Sequence, residues 1–311
     1  MTRDGGLAVA LVGATASGKS ALAHQFALDR GQVSILCVDA MSVYRGMDLA
    51  TAKATPQQRR EVDYRLLDLV SASEEFTVAR FQRFAREAAR DVWRKGSAIL
   101  YVGGTGLYGR AVLDNLEIPA QYPEVRSDVE ARARVDLAGL FDELTRLDPL
   151  AASRMESTNE RRIVRALEVT IGSGRPFSSY GDGLLSYGPA RVVQVGLRCD
   201  VAELDTRIER RFRRWMEEGL LDEVTRLASD PQGLSRSARQ AVGYRELLRH
   251  VELGEDLERC VVDAITQSRR LARRQRSWFN RDPRIVWFDD PVEASKHLEA
   301  VLNGPDGFVR E

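Results

Sequence analysis

The chain has 311 residues, 43% hydrophobic and 30% charged, with a formal net charge of zero. That balance suits a large soluble core, and no run approaches the roughly 18 apolar residues that a membrane span needs. Cys37, Cys199 and Cys260 lack the spacing of a disulfide framework or a zinc site, so a reduced, cytoplasmic setting is expected.

In chain order, Met1–Gly6 shows no basic-then-apolar leader, because Leu7–Val12 is short and runs directly into glycine. Leu7–Val12 reads as a buried strand. The next eight residues, Gly13, Ala14, Thr15, Ala16, Ser17, Gly18, Lys19 and Ser20, fit G-x-x-x-x-G-K-[ST]. Glycines let backbone N–H groups close around phosphate oxygens, and a helix N-terminus adds partial positive charge. Lys19 is expected to neutralise the phosphates and the Ser20 hydroxyl to hold Mg²⁺. The pattern is specific for phosphate and silent about which phosphate compound.

Ser20–Arg30 has Leu22, Phe26, Ala23 and Ala27 on one side, which predicts a helix; Val33–Val38 predicts a second buried strand, ending at Asp39. A carboxylate there serves as a metal ligand, a general base or a turn cap. Val78, Phe81, Ala85, Ala88 and Val92 fall at helical spacing, closed by Gly96. Ala98–Val102 predicts a third strand, ended by Gly103-Gly104-Thr105-Gly106, where the Thr105 hydroxyl is placed to meet a ligand. Strands alternating with helices predict an α/β fold: a P-loop NTPase-like core whose parallel sheet is flanked by helices, with ligands at the carboxyl ends of the strands.

After Ile118 the pattern is helical without strands as far as Gly174, and Gly172–Pro189 reads as a loop. Arg191–Leu197 restores a strand. The expected organisation is therefore a helical insertion domain, 119–189, between two pieces of one core, 1–118 and 190–311. Helices dominate from Leu204 to Trp278, and Arg284–Phe288 is a late strand.

Arginines are segregated although the net charge is zero. One cluster comprises Arg269, Arg270, Arg273, Arg274, Arg276, Arg281 and Arg284; a second Arg207, Arg210, Arg211, Arg213 and Arg214; a third Arg161, Arg162 and Arg165. Such segregation predicts either solvated helix faces or a local polyanion site.

Taken in order, several segments resemble one family. They are Gly13–Ser20; Asp39-Ala40-Met41 with Tyr44-Arg45-Gly46-Met47-Asp48 and Thr51-Ala52-Lys53; Gly103-Gly104-Thr105-Gly106-Leu107-Tyr108; Leu147-Asp148-Pro149; Arg162–Glu168; Gln240–Tyr244; Arg274-Gln275; and Trp278-Phe279. The family is that of the tRNA dimethylallyltransferases, and the resemblance runs from about Leu7 to Phe288.

The resemblance implies transfer of a dimethylallyl group from dimethylallyl diphosphate to the exocyclic N6 amine of adenosine 37, beside the anticodon, in tRNAs reading codons that begin with U. The P-loop would then grip the leaving diphosphate with Lys19, Ser20-bound Mg²⁺ and Arg211, which matches the second arginine of the family pattern in Arg207-Ile208-Glu209-Arg210-Arg211. Asp39 is implied as general base, and Thr105 as a contact to the target nucleotide. The same resemblance implies tRNA contacts along Asp39, Ala40, Met41 and Ser42, at Arg126, along Arg161, Arg162, Ile163, Val164 and Arg165, and along Arg239, Gln240, Ala241, Val242, Gly243 and Tyr244. The target base would be flipped into a channel while the arginines hold the anticodon stem-loop by its phosphates. A monomer without membrane attachment is expected.

Two departures from the family pattern stand out: Ser42 replaces a common glutamine, and Tyr64-Arg65 replaces a histidine pair. The competing readings are a P-loop kinase of a small metabolite, a prenyltransferase acting on free adenine nucleotide, and a non-catalytic RNA-binding protein. Residues 200–288 discriminate against the first two, and an intact Gly13–Ser20 with Asp39 against the third.

Overall fold

A computed structural model describes residues 5–181, 184 and 186–310. Of the segments read from sequence, Met1–Asp4 and, within the 172–189 loop, Asp182, Gly183 and Leu185 lie outside these. The chain divides into two compact units, 1–114 with 187–311, and 115–186. The second begins and ends a few residues before the expected 119–189.

The first unit opens with β1 (Gly5–Val12), α1 (Lys19–Arg30), β2 (Val33–Val38), α2 (Pro56–Glu61), β3 (Asp63–Arg65), α3 (Val78–Arg94), β4 (Ala98–Gly103) and α4 (Gly106–Leu113). Helix α1 buries Ala23, Phe26 and Ala27, the three-and-four spacing of an amphipathic face. Thr55 and Gln58 form a reciprocal capping box on α2, and the Thr77 hydroxyl caps α3 through the Arg80 amide. Helix α3 buries Phe81, Ala85, Ala89 and Val92, one residue along from the expected face at Ala88, which is only partly buried.

The second unit is helical: α5 (Pro123–Ala133), α6 (Leu137–Leu147), α7 (Pro149–Ser153) and α8 (Glu160–Ser173). Its own core comprises Val129, Leu140, Leu144, Ile163, Val164 and Leu167 with smaller neighbours. The Asp136, Asp148 and Asn159 side chains cap α6, α7 and α8, satisfying amides that a helix start leaves open.

The first unit resumes with β5 (Val193–Leu197), α9 (Val201–Glu217), α10 (Leu220–Ala228), α11 (Tyr244–Leu253), α12 (Leu257–Phe279), β6 (Ile285–Phe288), α13 (Pro291–Asn303) and β7 (Phe308–Arg310). The sheet order is β3-β2-β4-β1-β5-β6, all parallel, with β7 antiparallel to the first residues of β1. Alternation along β1 sends Ala8, Ala10 and Val12 to one face and Val9 and Leu11 to the other. Each face is covered, so the strands read as continuous apolar runs. Among the described residues no helix is long and apolar enough to cross a membrane.

The strands and helices expected from sequence all form, within a few residues at their ends. Strand β3, helices α2, α4 and α13, and strand β7 have no counterpart in that reading. Strand β3 is the polar edge segment Asp63-Tyr64-Arg65, which carries no apolar run to betray it.

Candidate active site

Register places the site. Val38 and Val12 both pair with Gly103, and Val12 also pairs with Gly196, so four strands end level. The residues that follow, Asp39, Gly104-Thr105 and Gly13, therefore lie along one edge of the sheet, where open α/β sheets bind ligands. Gly103 is required for the strands to meet there, because a Cβ would strike the Val38 carbonyl oxygen.

The phosphate loop turns into α1 at Gly18, whose φ of 98° is a left-handed conformation that favours glycine. Lys19 Nζ donates to the Ala14 carbonyl at 3.0 Å. Two distant helices meet the loop. From α9, Arg211 Nη2 donates to Thr15 Oγ1 at 2.7 Å and Arg207 Nη1 to the Ala16 carbonyl at 3.4 Å. From α12, Gln275 Oε1 accepts from the Thr15 amide at 2.8 Å.

The electrostatics of this loop are unusual. Burial, together with the charge of Arg211, pushes the Lys19 ammonium down to about 8 against the upward pull of Asp39. Burial and the charge of Arg214 lower Arg211 to about 10. The Arg211 guanidinium lies 4.7 Å from the Trp215 ring centroid, its Nε is buried without a hydrogen-bond partner, and so is Ser17 Oγ. Two desolvated cations, with the Arg211 Nε and Ser17 Oγ left unpaired beside a glycine loop, form a site that an anion relieves.

Asp39 stands at the end of β2. Its Oδ1 accepts from the Met41 and Ser42 amides at 2.8 and 3.1 Å, and its Oδ2 from Thr105 Oγ1 at 3.1 Å. One oxygen thus fixes the turn, as the turn-capping reading expects, and the other faces Thr105. Between the sheet and helices α4 and α12 lies an apolar cavity lined by Ala10, Val12, Val38, Tyr101, Leu113, Trp278 and Phe279. Thr105 is in its wall, and Arg110, Gln194 and Asp282 supply its polar lining.

The structure also tests the fit of Mg²⁺. Ser20 is exposed at the start of α1, Ser17 Oγ is a buried oxygen lacking a partner, and oxygen donors suit a hard cation. No cluster of three acidic, histidine or cysteine residues able to hold a metal occurs among the described residues.

The residues expected to touch nucleic acid separate into exposed and buried sets. Arg161, Arg162 and Gln240 are exposed; Ala40, Met41, Arg126, Arg165, Arg239 and Val242 are partly buried. Ile163 and Val164 are core residues of the second unit, so the side chains this segment exposes are Arg161 and Arg162. Arg126 and Arg165 both bond the fully buried Glu168, at 3.2 and 2.8 Å, which ties them to α5 and α8. Arg239 pairs with Glu252.

Ser42, Ala241, Gly243 and Tyr244 are buried as well. The Ser42 hydroxyl has no partner, whereas Tyr244 Oη donates to Glu223 at 2.5 Å. Glu223 also accepts from the Asp48 amide at 3.1 Å and more weakly from Leu49. Tyr244 is therefore a packing and hydrogen-bonding residue under the 46–53 loop, not an external contact. Tyr244→Phe is expected to cost about 1–3 kcal/mol of stability, read from denaturant unfolding, because a buried carboxylate loses a donor.

The arginine runs are largely neutralised by acids far away in sequence. Arg269 pairs with Glu209 at 2.7 Å, Arg273 with Asp205 at 2.6 Å, and Arg213 with Glu258 at 3.3 Å, fastening α9 to α12. Arg284 pairs with Asp114 and Asp282. Arg210, Arg270, Arg274 and Arg281 make no ion pair among the described residues and remain the cations of these two clusters open to a polyanion. Tyr64-Arg65 gains a structural role: Tyr64 Oη bonds His24 Nδ1 at 3.0 Å, and Arg65 pairs with Asp63 and Asp91. Sequence reading passed over Gln275 as a site residue, since 260 positions separate it from Thr15 and only its place in the Arg274-Gln275 motif marked it.

Comparison with known proteins follows the same geometry. A model of the IPP transferase family matches residues 42–282. A tRNA dimethylallyltransferase of Salinispora tropica is 45% identical over 91% of this chain and 88% of its own, and one of Bifidobacterium animalis subsp. lactis is 42% identical over 91% and 83%. The crystal structure of the tRNA isopentenylpyrophosphate transferase of Bacillus halodurans superposes with a TM-score of 0.69 at 32% identity, covering 96% of this chain and 97% of that one.

Proposed function

The chain belongs to the IPP transferase family, and from that footing we propose how its site transfers a dimethylallyl group to tRNA. One observation carries the reading: the buried cations Lys19 and Arg211 converge on a phosphate loop beside the Asp39–Thr105 pair and an apolar cavity. A diphosphate satisfies the cations, an allylic tail suits an apolar wall, and an amine needs the carboxylate.

The donor is dimethylallyl diphosphate, and the acceptor is the exocyclic N6 amine of adenosine 37 beside the anticodon. The amine nitrogen bonds to the allylic carbon, the carbon–oxygen bond to diphosphate breaks, and the diphosphate leaves with the electron pair. Lys19 and Arg211 stabilise the charge that grows on the leaving group, which is the largest contribution such a site makes. Asp39 Oδ2 takes the proton that the amine sheds, and Thr105, held against that oxygen, orients the base. Ser20 is the residue that would hold Mg²⁺, which would supply further positive charge against the leaving diphosphate. Arg161, Arg162, Arg210, Arg270, Arg274 and Arg281 are the side chains offered to tRNA phosphates. The three free cysteines suit the reducing cytoplasm.

The test is direct. Purified protein is mixed with dimethylallyl diphosphate, Mg²⁺ and unmodified tRNA bearing adenosine at position 37, without ATP, and the digested tRNA is examined by mass spectrometry. One prenylated adenosine per tRNA is expected. Absence of that product, with phosphate transfer from ATP to a small metabolite instead, would overturn the reading in favour of a kinase.

A further inference from the structure

Lys53, outside the phosphate loop, carries its charge on a side chain only 1% exposed. Its Nζ donates to the Tyr44 carbonyl at 2.5 Å, to Asp68 Oδ1 at 2.6 Å and to Asp48 Oδ1 at 2.8 Å. All three donor positions of the ammonium are thereby filled. None of these partners touches the phosphate loop. Two of them, Tyr44 and Asp68, belong to the two segments that pair with each other just after the Asp39 turn.

The connection to Asp39 is continuous. Asp39 Oδ1 accepts from the Ser42 amide, and the Ser42 carbonyl accepts from the Asp68 amide at 3.1 Å. Beyond it the Val70 amide donates to the Val43 carbonyl at 3.1 Å and the Arg45 amide to the Val70 carbonyl at 2.8 Å. The segment after Asp39 is thus laid against 68–70 as a short parallel pairing. Asp68 holds a φ of 56° and Leu66 one of 65°, left-handed conformations that non-glycine residues keep only when surrounding contacts impose them. The contacts are Lys53 on Asp68 Oδ1, Arg59 on Asp68 Oδ2 at 2.5 Å, and Arg45 on the Asp68 and Leu69 carbonyls at 3.2 Å. Burial works against the Asp68 carboxylate, yet Lys53 and Arg59 outweigh it and hold the group below its ordinary value.

We infer that Lys53 and Asp68 are positioning residues for Asp39: the pairing of the buried Lys53 with the half-buried Asp68 fixes the 66–70 strip, and the strip fixes the turn whose amides aim the Asp39 carboxylate at Thr105. The inference rests on the reading of Asp39 as the base. A base held by two backbone amides can be no better placed than the turn supplying them. A displacement of the order of 1 Å at a reacting group costs about 10²-fold. Lys53 touches neither the cation pair nor the cavity wall, so its effect belongs to the proton-transfer geometry and not to donor binding.

The experiment is a double-mutant cycle in the full-length protein: wild type, Lys53→Met, Asp39→Asn and the double variant. For each, the single-turnover rate of transfer to tRNA, the KM for dimethylallyl diphosphate and the tRNA Kd are measured. Lys53→Met is expected to lower the rate about 10–100-fold with KM and Kd moved less than about threefold. In the Asp39→Asn background the same substitution is expected to change the rate by less than about twofold, because there is no base left to misplace. An equal loss in both backgrounds, or a wild-type rate in Lys53→Met, overturns the positioning role while leaving Asp39 as base. A wild-type rate in Asp39→Asn alone overturns the base assignment and this inference with it. Should Lys53→Met fail to fold, Asp68→Asn, which keeps the amide to Ser42 and the side-chain volume, is carried through the same cycle with the same expected non-additivity.

Discussion

Asp39→Asn is expected to lower the single-turnover rate of prenyl transfer by about 10²–10⁴-fold, the range over which a positioned general base contributes. The substitution is conservative where structure is concerned. An asparagine carbonyl still accepts from the Met41 and Ser42 amides, and its amide group faces Thr105 Oγ1, which accepts as readily as it donates. The turn is kept; what is lost is the proton acceptor and the negative charge that pulls Lys19 up. Binding of tRNA, followed by filter retention or fluorescence anisotropy, is expected to change by less than about threefold, because exposed arginines are the side chains proposed to supply it. A variant that retained a tenth or more of the wild-type rate would remove Asp39 from the chemistry.

Lys19→Met is expected to act on the other half of the reaction, lowering kcat/KM for dimethylallyl diphosphate about 10²–10³-fold, the usual cost of removing one donor from developing negative charge. A second result distinguishes this site from a merely structural lysine: without substrate, the variant is expected to melt at a higher temperature at pH 7. The folded-state Lys19 sits near 8, below its ordinary value of 10.5, so carrying the charge in the folded protein costs stability. That cost is present in full below about pH 8 and fades as pH rises towards 10.5, because the unfolded chain binds the extra proton across that window. The advantage of the methionine variant over wild type should narrow across the same window, to be read from thermal melts at a series of pH values. Its size at pH 7 is at most about 3 kcal/mol. Loss of both activity and stability would instead mark Lys19 as a packing residue.

The two substitutions touch opposite ends of one arrangement, and their different signatures follow from burial. Asp39 is satisfied by neutral amides and a hydroxyl, so changing it alters chemistry and little else. Lys19 and Arg211 are neighbouring cations away from water, so at neutral pH the folded protein carries an electrostatic load that an anionic ligand removes. A loop built to hold a departing diphosphate benefits from this, since the cations bind most strongly when the charge they face is greatest.

Sequence alone determined the α/β core, the phosphate loop and the placement of Asp39 and Thr105 at strand ends. Those features are written locally: β1, β2 and β4 are short apolar runs, and a loop between a strand and a helix needs its glycines and lysine in fixed order. The ordered motifs carried the family resemblance for the same reason. Tertiary structure decided what depends on partners distant in the chain. It brought Arg211 and Gln275 to Thr15 from 196 and 260 residues away, and it set Glu223 and Glu168 in buried positions where they bind Tyr244, Arg126 and Arg165. It also showed that Arg269, Arg273 and Arg213 hold α9 to α12, which a count of charges along α12 cannot reveal. Charge pairing and burial are properties of proximity in space. A sequence fixes proximity directly only within a helix turn or a strand pair, and everything beyond that waits on how the chain folds back.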